Sequence, residues 1–197
     1  MTIIRNFDFN TKQITAMDVD TSDNGYLWLG FAQNSNNICK LLKVSAHKPT
    51  QKYYEIDLSV TEIKDIHVFG SYVYVAINDS TYLFKRYSLS SPLSSSSSIS
   101  LPSGANEAPI DIEDDGTYIY VLLPGLISGE NAKLYKYTSS GTLLDTIDLL
   151  TVTNAQSMAI DSNDDIWIIT YESPSTLVRV YETSGGSYTY TTTTLGS

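Results

Sequence analysis

A segment of about 46 residues recurs four times along the chain, and this repeat limits the possible folds more than any other feature. Each copy carries a short apolar stretch with an aromatic residue at its centre, and successive aromatics are 46, 46 and 47 residues apart. These aromatics are Trp28, Tyr74, Tyr120 and Trp167. A repeat of this length indicates one small structural unit that buries its faces against neighbouring copies of itself.

Each copy predicts four β-strands. Apolar residues largely alternate with polar ones, which is the period of a strand and not of a helix. A turn rich in Asp, Asn and Gly separates the first strand from the second, which holds the central aromatic. The third strand carries a basic residue in every copy, namely Lys43, Arg86, Lys136 and Arg179. Four antiparallel strands in about 46 residues have the size of one β-propeller blade.

The sequence therefore predicts an all-β fold, a β-propeller with four blades of four antiparallel strands in a single domain over residues 1–197. The blades are expected at approximately residues 14–58, 63–101, 109–149 and 155–195, with an extra N-terminal strand at residues 3–9. Two arrangements remain open. The four blades close a ring within one chain, or they belong to a larger ring formed by oligomerisation or by a longer chain.

Two of the turns, with the strands that follow them, resemble a known kind of repeat. The segments are DNGYLWLG from Asp23 to Gly30 and DSNDDIWI from Asp161 to Ile168. Both are similar to the turn and second strand of β-propeller repeats of the two-component-regulator and NHL type. The resemblance implies a propeller fold and no catalytic residue, since proteins with such repeats have many unrelated functions.

Composition excludes several classes of function. Twelve basic residues against 22 acidic ones give a net charge of −10, so we expect no nucleic-acid binding through phosphate neutralisation. A single cysteine, Cys39, and two histidines exclude a disulfide framework and a zinc site. No apolar run approaches the roughly 20 residues that cross a bilayer, so we expect no membrane insertion.

One set of polar residues is a candidate metal site. Asp18, His67 and Asp111 occupy similar places in the predicted innermost strands, and carboxylate and imidazole groups suit a divalent cation. Ala159 breaks the set in the fourth copy. We therefore interpret these residues as strand ends that hydrogen-bond to neighbouring backbone, and we predict no metal site, no cofactor and no catalytic residue. Calcium binding by the acidic turns stays open.

Other features point to a surface that contacts a partner. We expect the four central aromatics to lie in the core between blades. We expect the four bases to lie on the solvent side of half-exposed strands. Residues 88–98, which are rich in serine, are expected to form a spacer loop. Fifteen tyrosines against five phenylalanines, with abundant serine and asparagine, are typical of contact surfaces for proteins or glycans.

The predicted function is a binding or structural module without enzymatic activity, contacting protein or glycan and able to form a homo-oligomer or larger assembly. Its acidic, hydroxyl-rich composition favours an extracellular or virion appendage. The alternative is a metal-dependent propeller enzyme, of lactonase or lyase kind, with Asp18, His67 and Asp111 as metal ligands in the central channel.

Overall fold

A computed structural model describes residues 13–21, 25–32, 38–48, 52–78, 83–90, 96–103 and 105–195. In these residues the chain forms sixteen β-strands and no helix, and the strands make four sheets of four antiparallel strands each. The prediction of an all-β fold with four such sheets is confirmed. The predicted extra strand at residues 3–9 lies outside the described residues.

Strand order follows chain order within every sheet. Sheet I contains β1 (Ile14–Asp20), β2 (Tyr26–Phe31), β3 (Cys39–Ser45) and β4 (Lys52–Leu58). Sheet II contains β5 (Glu62–Phe69), β6 (Tyr72–Asn78), β7 (Leu83–Ser88) and β8 (Ser96–Ser100). Sheet III contains β9 (Asp111–Asp114), β10 (Tyr118–Leu123), β11 (Lys133–Thr138) and β12 (Leu143–Asp148). Sheet IV contains β13 (Ala155–Ile160), β14 (Ile166–Thr170), β15 (Thr176–Glu182) and β16 (Tyr188–Thr194).

The chain divides into two compact units, each with its own core. Unit 1 spans residues 1–100 and holds sheets I and II, while unit 2 spans residues 101–197 and holds sheets III and IV. In unit 1, Trp28 and Leu41 of sheet I pack with Ile63 and Val75 of sheet II. In unit 2 the core includes Tyr120 and Leu122 of sheet III with Met158, Ile168 and Val180 of sheet IV. Face-to-face burial of two sheets is thus the basic unit of stability.

The turns between first and second strands behave as their composition predicts. Among the described residues, each of these turns contains a residue with positive φ, namely Gly25 at 66°, Gly70 at 59°, Gly116 at 84° and Asp164 at 62°. Glycine and aspartate tolerate this backbone region better than most residues, so they fit these tight connections.

Two sequence expectations need correction here. The serine-rich stretch is not a loop throughout, because Ser96, Ser97 and Ser98 belong to β8 and pair with β7. Asp111 also does not occupy the same place as Asp18 and His67, which pair with the central aromatics Trp28 and Tyr74, since Asp111 pairs with Leu122 and Glu113 pairs with Tyr120 instead. In sheets II and III the partner of the aromatic lies seven residues before it, at His67 and Glu113, and Asp111 lies two residues before that place.

No described element is a helix suited to crossing a membrane.

Candidate functional site

In every sheet the central aromatic of the second strand lies directly opposite the basic residue of the third strand. The four cross-strand pairs are Trp28 with Lys43, Tyr74 with Arg86, Tyr120 with Lys136, and Trp167 with Arg179. Residues directly opposite each other in antiparallel strands have their side chains on the same face and within contact distance. The repeat therefore places a cation beside a ring four times.

In sheet I this arrangement is buried. The Lys43 ammonium lies 4.4 Å from the centroid of the Tyr26 ring and 5.5 Å from that of Trp28. It also donates to Asp20 Oδ2 at 3.1 Å, and this carboxylate is only 1% exposed. The expectation that these bases lie on the solvent side is wrong for Lys43, because its charge is balanced inside the protein by two rings and a carboxylate.

Sheets II and IV hold an arginine in the same position. The Arg86 guanidinium lies 4.3 Å from the Tyr72 ring centroid. In sheet IV the Arg179 guanidinium lies 5.7 Å from Trp167 and 5.1 Å from Tyr181, and its Nε donates to Asp165 Oδ2 at 2.8 Å. Ring and carboxylate together form the environment of the cation in sheet IV, as in sheet I.

In sheet III three tyrosines surround the Lys136 ammonium. Its Nζ lies 4.3, 5.5 and 5.3 Å from the ring centroids of Tyr118, Tyr120 and Tyr188. The same Nζ donates to the Tyr188 hydroxyl at 2.7 Å. Desolvation lowers the pKa of the Lys136 ammonium, but the hydrogen bond to Tyr188 and the surrounding negative charges outweigh it and raise that pKa above 10.5. Lys136 is therefore fully charged at neutral pH.

The hydroxyls of these tyrosines continue into a hydrogen-bonded chain. Tyr120 and Tyr188 hydroxyl oxygens are 3.1 Å apart, and the Tyr120 oxygen is 2.8 Å from Asp115 Oδ2. An ionised carboxylate only accepts, so the Tyr120 hydroxyl donates to Asp115 and the Tyr188 hydroxyl donates to Tyr120. Burial raises the pKa of Tyr120 far above its ordinary value of 10, and both hydrogen bonds raise it further. The chain holds the Tyr120 and Tyr188 rings in a fixed geometry.

These side chains line an open cleft of unit 2, which we call the tyrosine cleft. It has a volume of about 310 Å³ and lies between the turns of sheets III and IV. Its lining residues are Asp115, Thr117, Tyr118, Tyr120, Lys136, Asn163, Asp164, Asp165, Glu182 and Tyr188. Of its four carboxylates, Asp165 pairs with Arg179 and Asp115 accepts from Tyr120. Asp164 and Glu182 are exposed and pair with no cation in the described part of the chain.

The predicted metal candidates are engaged with backbone. Asp18 Oδ1 accepts from the N–H of Val19 at 2.7 Å, and its Oδ2 from that of Val68 on β5 at 2.6 Å. His67 Nδ1 lies 3.9 Å from the same Oδ2. Among the residues that the structure describes, no three His, Cys, Asp or Glu side chains come together in a way that could hold a metal ion.

Asp111 repeats the arrangement of Asp18 in unit 2. Its Oδ1 accepts from the N–H of Ile112 at 3.0 Å, and its Oδ2 from that of Met158 on β13 at 2.6 Å. In each unit a carboxylate on the first strand of one sheet thus binds the first strand of the next sheet. The geometry is that of a connection between sheets, with both oxygens already in use.

The acidic turns also use their carboxylates internally. Asp115 Oδ1 accepts from the N–H groups of Thr117 and Tyr118 at 2.8 and 2.7 Å. Asp161 accepts from the indole N–H of Trp167 at 2.9 Å and from the N–H of Asn163 at 2.8 Å. These bonds lower the pKa of Asp161 below 3.8, and the bond from the indole of Trp167 contributes most. Each turn therefore fixes the polar end of the aromatic ring that follows it.

The four aromatics differ in exposure. Trp28 and Tyr74 are fully buried and Tyr120 is 3% exposed, whereas Trp167 is half-buried. Sequence analysis identified the rings and the bases but did not recognise that they face each other. The available signal was the tyrosine two residues before the aromatic at Tyr26, Tyr72 and Tyr118, because the distance along the sequence from aromatic to base varies between 12 and 16 residues.

A second surface of unit 2, here called the loop surface, is apolar. Leu126, Ile127, Leu150 and Tyr171 are 60%, 45%, 59% and 78% exposed. Backbone hydrogen bonds connect their loops: Asn154 donates to Gly125 at 3.4 Å, and Tyr171 donates to Asn154 at 2.8 Å. The loop surface follows the end of β10, whereas the tyrosine cleft lies at the start of that strand.

The chain matches no known family model and no curated protein sequence. It is similar in structure to streptogramin B lyase, with a TM-score of 0.60 and 15% identity over 90% of this chain and 54% of that one. For virginiamycin B lyase from Staphylococcus aureus the TM-score is 0.61 and the identity 14%, and the match covers 90% of this chain and 54% of that one. For the structure of BBS1N in complex with ARL6DN the TM-score is 0.57 and the identity 14%, and the match covers 85% of this chain and 51% of that one. The chain spans about half the length of these structures.

These similarities show a fold of the β-propeller type, as the repeat predicted. They also overturn one prediction. We expected no enzymatic activity, yet two of the similar structures are lyases, which are enzymes. The prediction was drawn from a resemblance that implies no catalytic residue and from a candidate metal set that Ala159 breaks, whereas a propeller enzyme can assemble its site from single residues of several strands.

Proposed function

We propose that the chain is a binding module that holds a partner protein on the loop surface of unit 2. The observation that carries the proposal is the exposure of four large side chains, between 45% and 78%, on loops connected by hydrogen bonds. Single exposed apolar residues are ordinary, but a group at one end of a fold is typical of an interaction site. The BBS1N structure, a propeller in complex with another protein, supports this choice of partner.

The loop surface is held in place before any partner arrives. Glu107 is 9% exposed, and its carboxylate accepts from the N–H of Gly125 at 2.7 Å and from that of Ile127. A loop that is already ordered loses less conformational entropy when it binds. Tyr171, the most exposed of the four at 78%, belongs to the residue types that contribute most at protein interfaces.

Other partners have weaker support from the contacts. A glycan needs a ring face free for stacking, and the three rings of the tyrosine cleft face the Lys136 ammonium. A metal-dependent enzyme needs free carboxylates, and those of Asp18 and Asp111 accept backbone N–H groups. A second copy of the chain is a possible partner protein, which the experiment below separates from a foreign one.

The test combines self-association with peptide selection. Sedimentation velocity of the full chain and of the variant L126S/Y171S shows whether the loop surface binds a second copy. Peptides selected from a random display library on the wild-type chain are then measured against that variant. We expect at least about tenfold weaker binding, or about 1.4 kcal/mol, to L126S/Y171S. The control is Leu144→Ser, which removes a side chain 49% exposed on β12, outside the loop surface. Equal affinity for all three proteins, with no self-association, refutes the proposal.

A further inference from the structure

We propose that the tyrosine cleft binds an alkylammonium or guanidinium group, as carried by a lysine or arginine side chain of a partner or by a free polyamine. The site is separate from the loop surface, at the other end of β10, and the inference does not depend on the function proposed above.

The protein shows twice which environment it uses for a cation. Lys43 has the Tyr26 and Trp28 rings and the Asp20 carboxylate around it. Arg179 has the Trp167 and Tyr181 rings and the Asp165 carboxylate. Rings attract a cation through their electron-rich faces, and the carboxylate neutralises its charge. Each of these two sites is complete, with one cation for one carboxylate.

The cleft beside sheet III contains the same components, namely rings, a cation and carboxylates, but it has more carboxylates than cations. The Lys136 ammonium lies against the rings, and it donates to the Tyr188 hydroxyl and not to a carboxylate. Asp164 and Glu182 line the same cleft, are exposed, and form no ion pair within the described residues. The cleft therefore holds rings already arranged around the Lys136 ammonium, together with two exposed carboxylates that form no ion pair within the described residues, although the charge of Glu182 acts on Lys136.

Charge in the cleft favours a second cation. Four carboxylates line it, and Lys136 within it and Arg179 beside it supply two positive charges, which leaves an excess of two negative charges. An anionic ligand is repelled by this excess. A cation placed toward Asp164 and Glu182 gains attraction from both, and this opposes its repulsion by Lys136.

Size and donor chemistry select the kind of cation. A volume of about 310 Å³ is at the lower end of ligand sites and suits one long side chain or a small amine. A bare metal ion needs several oxygens converging on one point, and the described residues show no such group. An organic cation can instead place its charge at the carboxylates of Asp164 and Glu182 and its carbon atoms against the remaining wall of the cleft.

In the experiment the full chain is titrated with each probe, and binding is measured by calorimetry and by the chemical shifts of the backbone amides. The probes are a capped peptide with one arginine, the same peptide with citrulline, and spermidine. Citrulline keeps the shape of arginine and removes its charge. We expect the arginine peptide or spermidine to bind with shifts at Asp164 and Glu182, and the citrulline peptide to bind at least about tenfold more weakly.

Variants separate the site from general attraction to an acidic protein. We expect D164N/E182Q to weaken binding of the cationic probe about tenfold, and Tyr118→Leu to weaken it severalfold. Glu172→Gln, an exposed acid at the other end of unit 2, is the matched control and leaves binding unchanged. Tighter binding of the peptide identifies a partner side chain as the ligand, and tighter binding of spermidine identifies a free polyamine. Equal binding of citrulline and arginine, or equal loss in the control variant, overturns the inference.

Discussion

Asp111 is the best place to test how the sheets of unit 2 are held together. Its carboxylate is 8% exposed and accepts two backbone N–H bonds, one from Ile112 on its own strand and one from Met158 on β13. Asp111→Ala leaves the Met158 N–H buried beside a cavity without an acceptor. Losing a hydrogen bond to a charged group and leaving a buried donor unsatisfied costs about 2–3 kcal/mol of unfolding free energy.

Two further positions make the prediction quantitative. Asp18 makes the equivalent bonds to Val19 and Val68, but its side chain is 31% exposed, so water can replace the lost acceptor. We expect Asp18→Ala to cost about half as much as Asp111→Ala. Asp145 is the matched control, because within the described part of the chain its carboxylate accepts only from the N–H of the next residue, Thr146, on an exposed strand. Asp145→Ala is expected to cost less than about 0.5 kcal/mol.

The assay is urea unfolding followed by tryptophan fluorescence. Each unit contains one tryptophan, so the Trp28→Phe background reports on unit 2 through Trp167, and Trp167→Phe reports on unit 1 through Trp28. Asp111→Ala should lower the midpoint of the Trp167 transition with little change in slope. Equal, small effects of Asp111→Ala and Asp145→Ala would refute the claim that this carboxylate connects the sheets.

Three other predictions follow from local geometry. Gly125→Ala should destabilise unit 2 by more than about 2 kcal/mol in urea unfolding, because a Cβ there would lie 2.4 Å from Ala132 N. Gly129 also has positive φ but has open space around it, so Gly129→Ala should cost about 1 kcal/mol. Similar losses for the two variants would contradict this prediction. The Cys39 thiol is buried and burial raises its pKa, so it should react with a disulfide reagent only as unit 1 opens, and fast reaction in the native protein would be inconsistent with its position. Burial raises the pKa of Tyr87 to about 12, so the unfolded chain loses the Tyr87 proton at lower pH than the folded chain does. The free energy of unfolding should therefore fall as pH rises from about 10 to 12, which absorbance and urea titrations measure. A Tyr87 that titrates near 10 in the folded protein would contradict this prediction.

Most of the secondary structure could be predicted because it depends on short-range patterns. Alternating apolar residues and Gly- or Asp-containing turns mark the strands locally, so four sheets follow from one repeat. Register could not be predicted, because it depends on turn length. The turn between Asp20 and Tyr26 is longer than that between Phe69 and Tyr72, so the residue opposite the aromatic cannot be found by counting along the sequence, and in sheet III it is Glu113 and not Asp111.

The candidate site depends on contacts that no local pattern contains. Tyr188 lies 52 residues after Lys136 and reaches it from another sheet. Nothing near either residue in sequence indicates that they meet, and the base at position 136 has the same local pattern as Lys43, which is buried. Sequence analysis therefore identified the residue types of the site and missed their arrangement.

Placing cations against rings and carboxylates of the same sheet changes how the molecule is approached from solution. Lys43 and Arg179 are neutralised at close range, so their field does not extend far beyond the surface. The net charge of −10 then dominates the potential that an incoming molecule experiences. Encounters with basic partners should be accelerated at low ionic strength and slowed as salt screens the field, while anionic surfaces are kept away.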